Sequence, residues 1–192
     1  MLSDEELDEI GSSISVYALS SDGYGELDDY AFSSGEADEY RAFLFEEARK
    51  LEELHVCKTY LMIHNKTNEL VGYFTLSADS IKLAPEEKSE DNLDEVVFRS
   101  IPAIKLGKLA INQKLSSDSK RKGYGSFAIE QACFIANDIN NNYAACRFLT
   151  VDADIQYCKT TTKFYENNNF VYNQANKNKN ATTVSMRRDI LE

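Results

Sequence analysis

The chain has 192 residues, 43% of them hydrophobic and 28% charged, and its 32 acidic and 21 basic side chains leave a net charge of −11. That length suits one α/β domain that buries its core without disulfide or metal staples. With no eighteen-residue apolar run and no basic-then-apolar leader, neither a membrane span nor a secretory signal is expected, and the cytoplasm is the expected compartment.

In chain order, the acidic segment Leu2 to Ile10 reads as a frayed helix, and Ile14 to Leu19 alternates as a first strand, followed by the turn signals Ser21-Asp22-Gly23. Phe32-Ser33-Ser34-Gly35 precedes a helix whose apolar stripe is Tyr40, Phe43, Leu44, Ala48 and Leu51. His55 to His64 and Leu70 to Ala78 are rich in β-branched and aromatic residues and flank the polar turn Asn65 to Glu69, which predicts an antiparallel hairpin. Pro85 to Glu95 reads as a charged, loop-like insert, and Ile104 to Ile111 as the next strand.

From Ser126 onward, Ile129, Ala132, Cys133, Ala136 and Ile139 mark one face of a long helix. Arg147 to Ala153 then predicts a central strand, Tyr157 to Asn167 a short helix, and Phe170 to Tyr172 and Thr182 to Arg188 two further strands around an Asn/Lys loop from Asn173 to Asn180. His55 and His64 stand in no metal-binding spacing, and no metal is expected. Cys57, Cys133, Cys146 and Cys158 lack a Cys-x-x-Cys spacing, which predicts reduced, buried thiols.

Charge is unevenly distributed. Residues 1–54 hold 16 acidic side chains against Arg41, Arg49 and Lys50, a local −13, whereas residues 98–192 hold 14 basic against 8 acidic, or +6. This asymmetry leaves room for a basic face that steers a polyanion, although an acidic half is also what solvated helix surface looks like.

The segment most informative about chemistry is Lys120-Arg121-Lys122-Gly123-Tyr124-Gly125-Ser126, a basic, glycine-spaced loop that opens the long helix. Glycine tolerates positive φ and brings backbone amides close to a ligand. Open amides and the positive dipole end at a helix start favour an anion, and the flanking Lys and Arg add formal charge, so a diphosphate fits. Read alone, the same loop also serves as a turn between two elements.

The loop resembles the acyl-CoA pyrophosphate loop of the GNAT N-acetyltransferase superfamily, Gln/Arg-x-x-Gly-x-Gly/Ala, with Lys120 in place of the usual Gln or Arg. Other segments resemble the acetyltransferase toxins of bacterial toxin–antitoxin pairs. Phe32-Ser33-Ser34-Gly35 is similar to their Phe-x-Cys-Gly, Gly72-Tyr73-Phe74-Thr75-Leu76-Ser77 to their Gly-Tyr-Tyr-Thr-Leu-Ser, and Leu106 to Ile111 to their Leu-Gly-Arg-Leu-Ala-Val. Phe164-Tyr165 followed by Phe170 resembles Phe-Tyr-x(4)-Phe, with Asn169 where Gly is usual, and Asn is the next best residue for a left-handed helix cap. The superfamily's common Asn ahead of that helix is absent from Asp154 to Lys159, so the cofactor contact that the resemblance implies for that Asn has no matching residue here.

The resemblance implies a single α+β domain with a mixed, mostly antiparallel twisted sheet flanked by helices, and a V-shaped splay between its two central strands. It implies acetyl-CoA as acyl donor, held by Lys120, Arg121, Lys122, Gly123, Tyr124, Gly125 and Ser126 and by backbone around Leu109, Ala110 and Ile111, with Tyr165 as the acid that protonates the departing thiolate. Implied partners are charged tRNA, an antitoxin protein and a second copy in a homodimer.

Ile104 to Ile111 carries Lys105 and Lys108 and no carboxylate to serve as general base. A lysine amine, with a pKa of about 10.4, needs such a base, whereas an α-amine at about 7.7–8.0 is substantially neutral already. An α-amine is therefore the expected acceptor, with Lys105 and Lys108 toward phosphate and Asp79, Asp152 and Asp154 as alternative bases acting through water. A housekeeping acetyltransferase for a small-molecule or peptide amine, and an acyl-CoA-binding module without turnover, are the competing readings.

Overall fold

A computed structural model describes residues 2–21, 24–174 and 182–191. Asp22-Gly23 of the first predicted turn and residues 175–180 of the Asn/Lys loop lie outside them. The chain divides into two compact units, one formed by Met1–Ser77 and Gly107–Glu130, the other by Ala78–Leu106 and Gln131–Glu192.

The first unit starts with α1 (Asp4–Ser13), whose entry is a capping box: the Ser3 hydroxyl accepts from the Glu6 amide while the Glu6 carboxylate accepts from the Ser3 amide. Strand β1 (Ile14–Ala18) follows directly. The predicted first long helix is α2 (Asp38–Ala42) and α3 (Ala48–Glu53), joined by a π turn over Phe43–Glu47. One extra residue in that turn keeps Phe43, Leu44 and Ala48 all buried.

The hairpin is β2 (Lys58–His64) and β3 (Leu70–Lys82), paired antiparallel, with Asn68 in the left-handed conformation at the turn. Its first strand begins three residues later than expected. His55, with φ +56°, instead closes α3, its amide bonded to the Glu52 carbonyl. The unit's core joins Leu19, Leu27, Phe32, Phe43, Leu44, Ala48, Leu61, Ile63, Leu70, Tyr73 and Ala110.

The second unit corrects one expectation outright. The charged insert contains a helix, α4 (Pro85–Glu90), which starts on Pro85 and has Glu87 buried. Strand β4 (Ser100–Ile111) is longer than predicted and pairs in parallel with β5 (Phe148–Asp154). Its register ends at Leu106 opposite Val151, although β4 runs on to Ile111 and β5 to Asp154. Helix α5 (Tyr124–Asn142) runs from the first unit's residues into the second's. Helix α6 (Thr161–Glu166), β6 (Val171–Tyr172) and β7 (Thr183–Asp189) complete the chain. Ile81, Leu83, Ile101, Ala103 and Phe148 form the unit's apolar cluster.

The strands are hydrogen-bonded in the order β1-β2-β3-β4-β5-β7-β6, a seven-stranded, mostly antiparallel sheet with helices on its faces, in the fold class expected. Cys133 and Cys146 are buried and Cys57 partly so, but Cys158 is exposed, contrary to the expectation for the thiols. Among the described residues no helix is long and apolar enough to cross a membrane.

Candidate functional site

The basic loop lies in the first unit. Phe127 N–H donates to the Gly123 carbonyl at 2.9 Å, which closes the first turn of α5. The amides of Tyr124, Gly125 and Ser126 therefore stand at the open, positive end of a 19-residue helix. Only one of the two glycines has left-handed backbone: Gly123, at φ +98°, makes the turn, while Gly125 is already helical.

Lys120 and Lys122 are exposed. Arg121 reaches back toward α1, 3.3 Å from Glu9. The Tyr124 ring is buried and its phenol donates to the Ser119 carbonyl at 2.7 Å, which leaves its backbone amide at the helix start. Burial pushes that phenol's pKa up.

A side chain at position 123 meets two obstacles. A Cβ there would need positive φ and would stand 3.1 Å from both Ile10 and Leu2 of the N-terminal segment. Gly123→Ala is expected to lower stability by about 1–2 kcal/mol and to weaken binding of a diphosphate-bearing ligand further, checked by denaturant unfolding and calorimetric titration.

Beneath the loop lies a brace that the sequence reading missed. Glu69 accepts from the Ser116 amide at 3.0 Å, from the Ser116 hydroxyl at 2.6 Å and from the Ser119 hydroxyl. These donors, Ser116 first, hold its carboxyl at about 2, against an ordinary 4.5. Because the folded value is depressed, the stabilisation is complete above the ordinary carboxylate range and is lost as pH falls toward 2. Thr67 and Ser119 hydroxyls meet at 2.7 Å, and Thr67 Oγ1 lies 3.0 Å from His64 Nδ1, which gives His64 a structural place in the hairpin turn.

The β4 backbone from Lys108 to Ile111 also belongs to the first unit. Thr75 Oγ1 accepts from the Lys108 amide at 2.9 Å. Gly72 admits the Ala110 carbonyl so closely that a Cβ would stand 2.6 Å from it. The buried Asn112 side chain donates to the Ala31 and Leu70 carbonyls, both at 2.8 Å, and accepts from the Ser33 amide at 3.1 Å. It thereby ties Phe32-Ser33-Ser34-Gly35 to the end of β4, a link with no signature in local spacing.

Lys108 is not extended into solvent. Its ammonium lies 4.7 Å from the Tyr40 ring centre and 5.1 Å from that of Phe43. Tyr73 stacks on Phe43 and donates its phenol to the Tyr40 carbonyl at 2.6 Å, and burial drives the phenol's pKa far upward.

In the second unit, Tyr165 sits on α6 and is 7% exposed, its ring edge-on to Phe164 and Phe170 at 5.1 and 5.2 Å. Asn169 has φ +64°, the left-handed cap expected where Gly is usual. Lys105 pairs with Asp152, so each is partly neutralised by the other. Asp79 accepts from the Thr150 hydroxyl at 2.6 Å, and Asp154 from the Gln156 amide at 2.8 Å. These carboxylates are engaged in local structure. Among the described residues no cluster of three His, Cys, Asp or Glu side chains could hold a metal ion.

No family model and no curated protein sequence matches the chain. Solved structures do. AtaT complexed with acetyl-methionyl-tRNAfMet is 19% identical with a TM-score of 0.69, over 90% of this chain and 93% of that one. A Tyr-to-Phe mutant of KacT is 17% identical with a TM-score of 0.67, over 91% and 95%. AtaTR bound with acetyl-CoA is 19% identical with a TM-score of 0.65, over 92% and 94%. At that identity the likeness shows the fold. The chain has the fold of the GNAT acetyltransferase toxins, as its motifs implied.

Proposed function

We propose that this protein is an N-acetyltransferase that moves an acetyl group from acetyl-CoA to the α-amino group of an aminoacyl-tRNA, acting as a toxin-like inhibitor of translation. The observation that carries the reading is the open N-terminus of α5, where Gly123 turns the chain at positive φ and Lys120 and Lys122 stand exposed beside it. It is supported by the shared fold with AtaT and KacT.

The residues present suit a diphosphate. Amides of Tyr124, Gly125 and Ser126 bind its oxygens along the helix dipole, with Lys120 and Lys122 adding charge. Acetyl-CoA supplies an activated thioester. Backbone N–H groups around Leu109, Ala110 and Ile111 are assigned to the thioester oxygen, where negative charge builds as the amine adds. As the new C–N bond forms and the C–S bond breaks, Tyr165 gives its phenolic proton to the leaving sulfur, and the proton shed by the amine returns through water to the phenolate. No carboxylate in Ile104 to Ile111 and a charge-paired Lys105–Asp152 favour an acceptor that needs no strong base, an α-amine. This reading assigns Lys108, held over Tyr40 and Phe43, to the acceptor's phosphates.

The test is transfer from labelled acetyl-CoA into charged tRNA, beside uncharged tRNA and a panel of free amines. Label in charged tRNA alone supports the reading. Label only in free amines replaces it with a metabolic acetyltransferase, and binding of acetyl-CoA with no transfer to any acceptor replaces it with a binding module.

A further inference from the structure

We propose that Glu69 is a positioning residue for the diphosphate loop, setting where the amides of α5 stand; this rests on the acyl-CoA reading above. The loop from Lys120 to Gly123 is referenced at both ends to one residue, Ser119. Its start follows Ser119 in the chain, and its end is tied back by the Tyr124 phenol, which donates to the Ser119 carbonyl at 2.7 Å. Ser119 is thus the clamp of a four-residue loop, and it is 2% exposed.

Glu69 fixes that clamp. One carboxylate takes the Ser116 amide, the Ser116 hydroxyl and the Ser119 hydroxyl, so the turn that delivers Lys120 is held to the β2–β3 hairpin. The Lys120 amide donates to the Ser116 carbonyl at 2.9 Å within that turn. The far side is fixed too: Thr67 meets Ser119 at 2.7 Å, and His64 Nδ1 lies 3.0 Å from the Thr67 hydroxyl and 3.3 Å from its amide. Asn68 at φ +55° and the His64 amide bonded to the Glu69 carbonyl hold the hairpin turn itself.

The three donors carry no formal charge, so Glu69 remains an anion; they fix where it stands and do not cancel its charge. What the ligand gains is order. Helix-start amides grip an anion only when they are already aimed at it, since a binding loop that must be ordered on binding loses affinity to that ordering. Glu69 acts through the two serines and touches no reacting atom.

Glu69→Gln preserves shape but turns one acceptor oxygen into a donor facing hydroxyls and an amide, and Ser119→Ala removes the clamp's hydroxyl. In the full chain, calorimetric titration with acetyl-CoA should give about tenfold weaker binding for each variant, the effect of one charge-assisted hydrogen bond. Steady-state transfer should show KM raised with kcat within about twofold, the split expected of lost ground-state binding. Circular dichroism at the assay temperature confirms that each variant is folded, and an unfolded Glu69→Gln leaves Ser119→Ala to decide. Wild-type affinity in the folded variants, or a fall in kcat at unchanged KM, overturns the positioning role and leaves the acyl-CoA reading standing. A wild-type protein that does not bind acetyl-CoA overturns that reading and the positioning role with it.

Discussion

Tyr165→Phe is expected to abolish most acetyl transfer while sparing both the fold and donor binding. The ring that fills the space between Phe164 and Phe170 is retained, so the edge-on contacts at 5.1 and 5.2 Å survive. What is lost is one oxygen. If the phenol protonates the departing thiolate, its removal should lower kcat by roughly 10²- to 10³-fold, the range for a general acid. Calorimetry should return an unchanged Kd for acetyl-CoA. A variant that transfers at the wild-type rate would show that Tyr165 only packs.

The second large effect concerns stability. Arg187 is 2% exposed, and its guanidinium bonds Glu87 at 2.7 Å, Asp91 at 3.0 and 3.1 Å and the Tyr172 carbonyl at 3.1 Å, while lying over the Phe148 ring. Glu87, 1% exposed, also accepts from the Ala84 and Gln174 amides, each at 2.8 Å. Removing Glu87 leaves the buried Arg187 guanidinium with Asp91 as its one carboxylate partner and an unfilled site beside Nη1, because its hydration was given up on folding. Glu87→Ala should therefore cost about 3–5 kcal/mol, a fall in Tm of roughly 6–20 °C for a chain of this size. Changing Arg187 to Met together with Glu87 to Leu should cost less than the sum of the single changes, since neither half of the buried Arg187–Glu87 pair is left without the other and only the partly exposed Asp91 loses its partner. Thermal unfolding of the two singles and the double provides the cycle, and strict additivity would refute the coupling.

Glu87 also shows why Pro85 to Glu95 reads as a loop in the sequence but contains a helix. Pro85 to Glu95 is dense in charge, and without its partner nothing distinguishes a solvated loop from a helix with one carboxylate turned inward. The partner, Arg187, lies 100 residues away. His55 differs for another reason: beside an apolar, β-branched run it reads as the start of a strand, while at φ +56° it ends α3.

What the residues determined by themselves was local. Apolar periodicity, turn residues and β-branched runs set the order of strands and helices. Gly123 and the basic residues before it set the turn that opens α5, and Asn169 supplied the left-handed cap where Gly is usual. Each of these is a property of a few consecutive side chains and the dihedrals they permit. The tertiary structure alone decided the rest: the clamp of Glu69 on Ser116 and Ser119, the anchoring of Ser33 by Asn112, the seat of Lys108 on Tyr40 and Phe43, and the burial of Arg187 with Glu87. Those pairings all join residues 47 to 100 positions apart. Polar contacts at such separations follow no period along the chain, and their energy exists only once folding has brought both partners out of water.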